Sequence, residues 1–266
     1  MITASSKEVK KVHAELLDLF INICDKNNLK WCLAYGTLLG AVRDKSFIPW
    51  DHDVDVFMPI DDYIKLYELS KKRDVVEYPF HFIGYGGLQK QTRNFKIFKY
   101  GTTIVKDNHV FGHVFMDIYP TIDVDSKDEI LLNKFSEIAS EFKKDFSNYS
   151  ANKNSEVLST ELKIRNLFKN SKCDKFVAVE NTIGYSYIDC RVTVDRIKDN
   201  MYPIIDFNQC ISCRIDGPLN EVRIPKNYDQ ILTNHYGNYL KPSKTNGDDW
   251  MFDLSVDCSQ FNIEDI

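Results

Sequence analysis

The chain has 266 residues, 43% of them hydrophobic and 27% charged, which is enough for a sizeable buried core. A formal charge of −5 leaves no global positive field for a polyphosphate backbone, so a nucleic-acid partner is not expected, although a local basic pocket for a small phosphate donor is still allowed. No stretch approaches the ~20 apolar residues of a membrane span, the polar residues 1–11 do not open a secretory signal, and seven cysteines without a dense framework suit reduced thiols. The expectation is a cytoplasmic protein, with any membrane association being peripheral, at the inner face and through its substrate.

In chain order, Val9, Val12, Leu16, Leu17, Leu19, Phe20 and Ile23 recur at helical spacing and predict an amphipathic helix over residues 6–27. Residues 30–35 read as a short strand, Gly36-Thr37 as a turn, residues 38–43 as one or two helical turns, and residues 51–57 as a second strand. Helical spacing returns over 61–72. Strands are expected at 80–85, 94–100, 102–106 and 113–119, with Tyr100-Gly101 turning a hairpin, and helices at 126–146 and 156–170. The pattern predicts an α+β fold. Residues 1–125 are read as a catalytic core and 126–266 as a mainly helical portion that completes the fold and the acceptor site, although a single domain fits as well.

Chemistry concentrates between residues 36 and 55. Asp51, Asp53 and Asp55 fall on alternate positions of the predicted strand, so that their carboxylates share one face and His52 turns to the other. Like charges so placed repel, and a divalent cation with hard oxygen ligands removes that cost. Gly36-Thr37 ahead of a helix offers backbone N–H groups and a hydroxyl to a phosphate. Each feature alone is commonplace, a turn and a solvated acidic edge. Their spacing together gives a phosphate cradle facing a metal-binding strand, as phosphoryl and nucleotidyl transfer require. A calcium loop starting at Asp51 is excluded, because Val56 and Asp62 stand where glycine and glutamate are needed.

The run Tyr35-Gly36-Thr37-Leu38-Leu39-Gly40-Ala41-Val42-Arg43, followed by Phe47-Ile48-Pro49-Trp50-Asp51-His52-Asp53-Val54-Asp55-Val56, closely resembles the signature of the LicD family of phosphotransferases, relatives of fukutin-type enzymes in the nucleotidyltransferase superfamily. Weaker similarity continues through Phe115-Met116-Asp117-Ile118-Tyr119-Pro120, Ile224-Pro225 and Tyr236-Gly237-Asn238-Tyr239-Leu240. The resemblance implies a nucleotidyltransferase-like mixed sheet flanked by helices. It also implies transfer of phosphocholine or a related phospho-alcohol from a CDP-linked donor such as CDP-choline to a hydroxyl of a cell-surface glycan or lipid-linked saccharide (teichoic acid, lipopolysaccharide or capsule), with release of CMP. Gly36 and Thr37 match the phosphate-binding turn, Asp53 and Asp55 the metal pair, and Asp117 a third acidic position. Ser46 and His52 depart from the common glycine and aspartate.

The resulting site has Asp53, Asp55 and Asp117 as catalytic residues, with Mg2+ or Mn2+ on Asp53, Asp55, Asp51 and Asp117, and Gly36, Thr37, Arg43 and Lys96 toward the donor phosphates. Asp51 is either a third ligand or a fixture of the strand entrance. Asp117, in an apolar strand where a lone charge is costly, is a metal ligand or general base. Arg43 has the fork geometry for a phosphate, but a salt bridge to Asp44 or Asp51 explains it equally. Lys96 belongs to a basic cluster with Arg93 and Lys99 that also reads as a solvated face. Cys210 and Cys213 have zinc or redox spacing without a second pair, so ordinary core cysteines explain them, and His109, His113 and His235 read as structural. The alternatives are nucleotidyl transfer from an NTP with release of pyrophosphate, and a non-catalytic nucleotide- or glycan-binding module.

Overall fold

The computed structural model describes residues 5–72, 75–83, 95–106, 109–147, 154–178, 192–241 and 251–253. Helix α1 (Ser6–Lys26) starts on a capping box: Ser5 Oγ accepts from the Glu8 N–H and Glu8 Oε2 accepts from the Ser5 N–H, satisfying two terminal donors. Its apolar stripe, including Leu16, Leu17 and Phe20, is fully buried. The short strand β1 (Cys32–Leu33) follows, then helix α2 (Tyr35–Leu39), which widens into a π-helical turn over Gly40–Asp44. Strand β2 (Val54–Pro59) is buried almost throughout and runs directly into helix α3 (Ile60–Ser70).

Strands β3 (Phe80–Ile83), β4 (Phe95–Lys106) and β5 (His109–Val124) follow. Tyr100-Gly101 does not turn a hairpin. Both residues lie inside the continuous strand β4, where Gly101 takes φ 78° beside a register shift between Lys99 and Ile104. Thr102 sits inside this bulge, its Oγ1 donating to the Lys99 carbonyl and accepting from the Val114 N–H. The reversal comes later, between Lys106 and His109, which face each other across the ladder.

Helices α4 (Glu129–Ser147) and α5 (Asn154–Leu167) lead to strand β6 (Lys175–Ala178). Beyond it lie α6 (Val194–Asp199), β7 (Met201–Pro203), the two-stranded ribbon β8 (Ile211–Cys213) and β9 (Val222–Ile224), α7 (Tyr228–Tyr236) and β10 (Met251–Asp253). The fold is α+β, a mixed sheet with flanking helices. The sheet runs β1-β2-β5-β4-β10, with β3 on β4 and β6-β7 continuing from the far half of β5. Its one parallel pair among these strands is β2 with β5; the other pairings are antiparallel. Strands β6, β7 and β10, all beyond residue 125, belong to this same sheet.

Because β5 pairs with β2, β4 and β6 along its length, it is the central strand and holds the core. Phe57 on β2 packs edge-on against Tyr35, Tyr119 and Phe176, joining the strand to helix α2 and to β6.

Candidate active site

The site grows from the register of β2 on β5. In that parallel ladder Asp55 lies opposite Asp117, so two carboxylates share one face of the sheet on neighbouring strands about 4.8 Å apart. Asp53, just before the strand, completes a group: oxygens of Asp53, Asp55 and Asp117 all lie within 4.8 Å of one another. Asp55 and Asp117 are 7% and 4% exposed, and Asp55 Oδ1 is buried without a hydrogen-bond partner among the described residues. Burial first, then the charges of Asp53, Asp117 and Asp51, raises the Asp55 carboxyl well above the ordinary range. Burial also raises Asp117, opposed by Lys96.

Lys96 lies opposite Asp117 on β4, its Nζ 2.6 Å from Asp117 Oδ1 and 3.8 Å from the centre of the Phe115 ring. It is therefore in the site as the ion-pair partner of a site carboxylate. The clue was present in sequence as opposite charges at facing positions of adjacent strands. Lys99 pairs with Glu15 on α1 instead, and Arg93 lies outside the described residues.

The backbone of Asp55 is clamped from both sides. Its N–H donates to Thr37 Oγ1 at 2.9 Å and its carbonyl accepts from the Ala34 N–H at 3.0 Å. Thr37 is 1% exposed and braces α2 to the start of β2. Gly36 and Thr37 lie within the helix, whose first residue, Tyr35, takes φ 40°, an unusual angle for an aromatic residue. A Cβ on Gly36 would meet Asp51 Oδ2 at 2.5 Å, and one on Gly40 would meet the Ser46 carbonyl oxygen at the same distance. These two glycines let residues 46–51 fold back over the helix, with Asp51 directly above Gly36.

Strand β2 begins only at Val54, so residues 51–53 form an approach to the strand where alternation does not operate. This corrects the expectation that His52 turns away. His52 Nε2 lies 3.2 Å from Asp53 Oδ2, and Asp51, His52 and Asp53 each bring a ligand atom within 4.8 Å of the other two. Behind this approach His13 is fully buried on α1, and burial lowers its imidazole to about 4, so it stays neutral.

A cleft of about 240 Å³ opens beside Asp51, lined by Gly36, Arg43, Trp50 and His52 on one side and by Tyr236, Tyr239 and Lys241 from the end of α7 onward. Arg43 lines it while Nε and Nη2 donate to Asp44 at 2.8 and 2.7 Å, the salt bridge that competed with a phosphate role. Tyr236 was not foreseen as a site residue. It lines the cleft together with Asp51, and partial burial, then the charges of Asp55 and Asp51, push its phenol up although 37% of its surface stays exposed. Cys210 and Cys213 flank the outer ribbon strand β8 as free thiols, Cys210 beside Cys32, and no cysteine joins a potential metal group among the described residues. His113 and His235 bond the Thr102 carbonyl and the Tyr202 hydroxyl, as structural histidines would.

Residues 28–153 match the family model described as LicD/FKTN/FKRP, nucleotidyltransferase domain. The chain is 27% identical over 244 residues to the lipopolysaccharide cholinephosphotransferase LicD of Haemophilus influenzae, covering 88% of this chain and 91% of that protein. An uncharacterized protein of Rickettsia prowazekii is 34% identical over 86 residues, 29% of this chain and 32% of that one.

Two outcomes follow from this geometry. Thr37→Val keeps the shape but leaves the buried Asp55 N–H without an acceptor, and is expected to lower unfolding free energy by about 1–3 kcal/mol in urea titration, with Thr37→Ser close to wild type. The second concerns pH. Raised in the folded state, the Asp55 carboxyl binds its proton more tightly there than in the unfolded chain, so its contribution to stability is greatest below the unfolded value and declines as pH rises toward the folded one. Without divalent ions Asp55→Asn is expected to melt above wild type at pH 7, and the gap is expected to shrink toward pH 4. A gap that is constant with pH would contradict the raised carboxyl.

Proposed function

From a chain whose residues 28–153 form a LicD-family nucleotidyltransferase domain, we propose an enzyme that transfers phosphocholine or a closely related phospho-alcohol from a CDP-linked donor to a hydroxyl of a cell-surface glycan such as lipopolysaccharide, releasing CMP. The observation that carries this reading is the buried group Asp53, Asp55 and Asp117 with its unpartnered Asp55 Oδ1. Three carboxylates this close, two of them desolvated, call for a counter-ion, and an all-oxygen set suits Mg2+ or Mn2+. The residues fit the ion. Asp53 and Asp55 would hold it, with Asp51 at the margin and Asp117 adjoining them, and when bound it supplies positive charge to offset the negative charge of the donor's diphosphate.

The chain's own residues do the rest. Gly36, free of a Cβ, makes room for the Asp51 carboxylate over the start of α2, and Arg43 offers the cleft the guanidinium edge that Asp44 leaves open. In the proposed reaction the acceptor oxygen attacks the phosphorus that carries the alcohol, the bond from that phosphorus to the CMP oxygen breaks, and the hydroxyl proton passes to Asp117. Lys96, opposite Asp117 on β4, keeps that carboxylate oriented.

The family model's description favours a second reading, nucleotidyl transfer from an NTP through the same residues. Incubation of the purified protein with Mg2+, a glycan acceptor and either CDP-choline or CTP separates the two. CMP from CDP-choline and no pyrophosphate from CTP is expected. Asp53→Asn and Asp55→Asn should each lower CMP release at least about a thousandfold, ~4 kcal/mol of transition-state stabilisation. Pyrophosphate and a nucleotidylated acceptor, with every CDP-alcohol inert, would overturn the phospho-alcohol reading.

A further inference from the structure

The approach to β2 carries a nitrogen donor that an oxygen-only site does not need. His52 Nε2 is 3.2 Å from Asp53 Oδ2, and Asp51, His52 and Asp53 form a second potential ligand group that shares Asp53 with the Asp53-Asp55-Asp117 group. Ligands about 2.1 Å from one ion lie at most ~4.2 Å apart, so spacings within 4.8 Å close with sub-ångström movement. Residues 51–53 can make that movement because they precede the strand ladder. The His52 side chain is 29% exposed, its ring edge-on to Phe115 at 6.4 Å, and it lines the cleft beside Asp51, which places it at the mouth of the site. Independently, Asp55 Oδ1 lies buried and unpartnered in the adjoining group.

We propose that His52 is a nitrogen ligand of the divalent cation at this site and biases the site from Mg2+ toward Mn2+ and its first-row neighbours. The proposal rests on the metal-dependent reading above and deepens it. The physical ground is ligand preference: Mg2+ holds its water and favours oxygen, whereas an imidazole raises affinity along the series that begins at Mn2+. A histidine that only orients Asp53 through a hydrogen bond would leave the cation with oxygen ligands alone, and the two cases differ in what the cation senses.

The test uses the full chain and the metal alone. Mn2+ is added and electron spin-echo modulation records whether a nitrogen nucleus couples to it. Calorimetry then gives Mn2+ and Mg2+ affinities for wild type, His52→Asn and His52→Asp. Directly bound imidazole nitrogen in wild type, its loss in His52→Asn, and a Mn2+ over Mg2+ preference reduced on the order of tenfold in His52→Asp are expected. Mn2+ bound without nitrogen coupling, coupling that persists in His52→Asn, or an unchanged preference would overturn the assignment of His52 and leave the carboxylate site standing. Failure of wild type to bind either ion would overturn this assignment and the metal-dependent reading together. The wild-type nitrogen signal decides the question even if a variant folds poorly.

Discussion

The parallel register that sets Asp55 of β2 against Asp117 of β5 is the constraint on which the rest of the site depends. In a parallel pair, residues in register point to the same face, so the ladder itself brings two carboxylates together. Around the acids the two strands are apolar: Val54, Val56, Phe57, Met116 and Ile118 are buried there. That setting makes the register matter, since a slip of one residue would move Asp55 to the opposite, apolar face of the sheet. The same setting strips water from the carboxylates and raises Asp55 and Asp117. Core stability and carboxylate strain therefore come from one arrangement.

Much of the surrounding chain holds this strained pair in place. Thr37 and Ala34 clamp the Asp55 backbone, Lys96 holds Asp117, and Gly36 and Gly40 permit the close return of residues 46–51 over α2. These residues give the site a fixed shape before any ligand arrives, and preorganisation of this kind is what electrostatic catalysis uses. The unusual φ of Tyr35 fits the same pattern, for strained backbone tends to persist where packing over-determines it, and here four rings surround the residue.

How much of this was legible in the sequence depends on the range of the interaction. The opening helix, the short acid-bearing segment and the later acidic strand were readable, because spacing and local residue chemistry determine them. The pairing of Lys96 with Asp117 was only half readable, since facing charges suggest it but the register that makes them face comes from the whole sheet. His52 was misread for a specific reason: alternation was applied three residues too early, to a stretch that the turn after Trp50 holds out of the ladder. Tyr236 was visible only as part of a weak similarity and Lys241 not at all, because the cleft they line exists only once α7 folds back across the first quarter of the chain. The Tyr100-Gly101 pair misled because glycine serves a strand bulge as readily as a turn.

Charge balance links these observations to the order in which the site can act. Lys96 is engaged by Asp117 and Arg43 by Asp44, so the two cations nearest the carboxylates are already partly neutralised. Asp51 and Asp53 then leave the mouth of the site negative, and under the proposed reaction a diphosphate donor approaching it meets repulsion that the exposed Lys241 at the rim only partly offsets. Under the proposed reaction the carboxylates are too close and too buried to be relieved by screening alone, since salt weakens interactions of exposed charges far more than those of buried ones. On that reading, their neutralisation by a cation would precede or accompany donor binding. Under the proposed reaction the aspartates would act as a gate on the donor as well as a seat for the ion, a reason for the dense charge of the segment Asp51–Asp55 and for the cost of burying part of it.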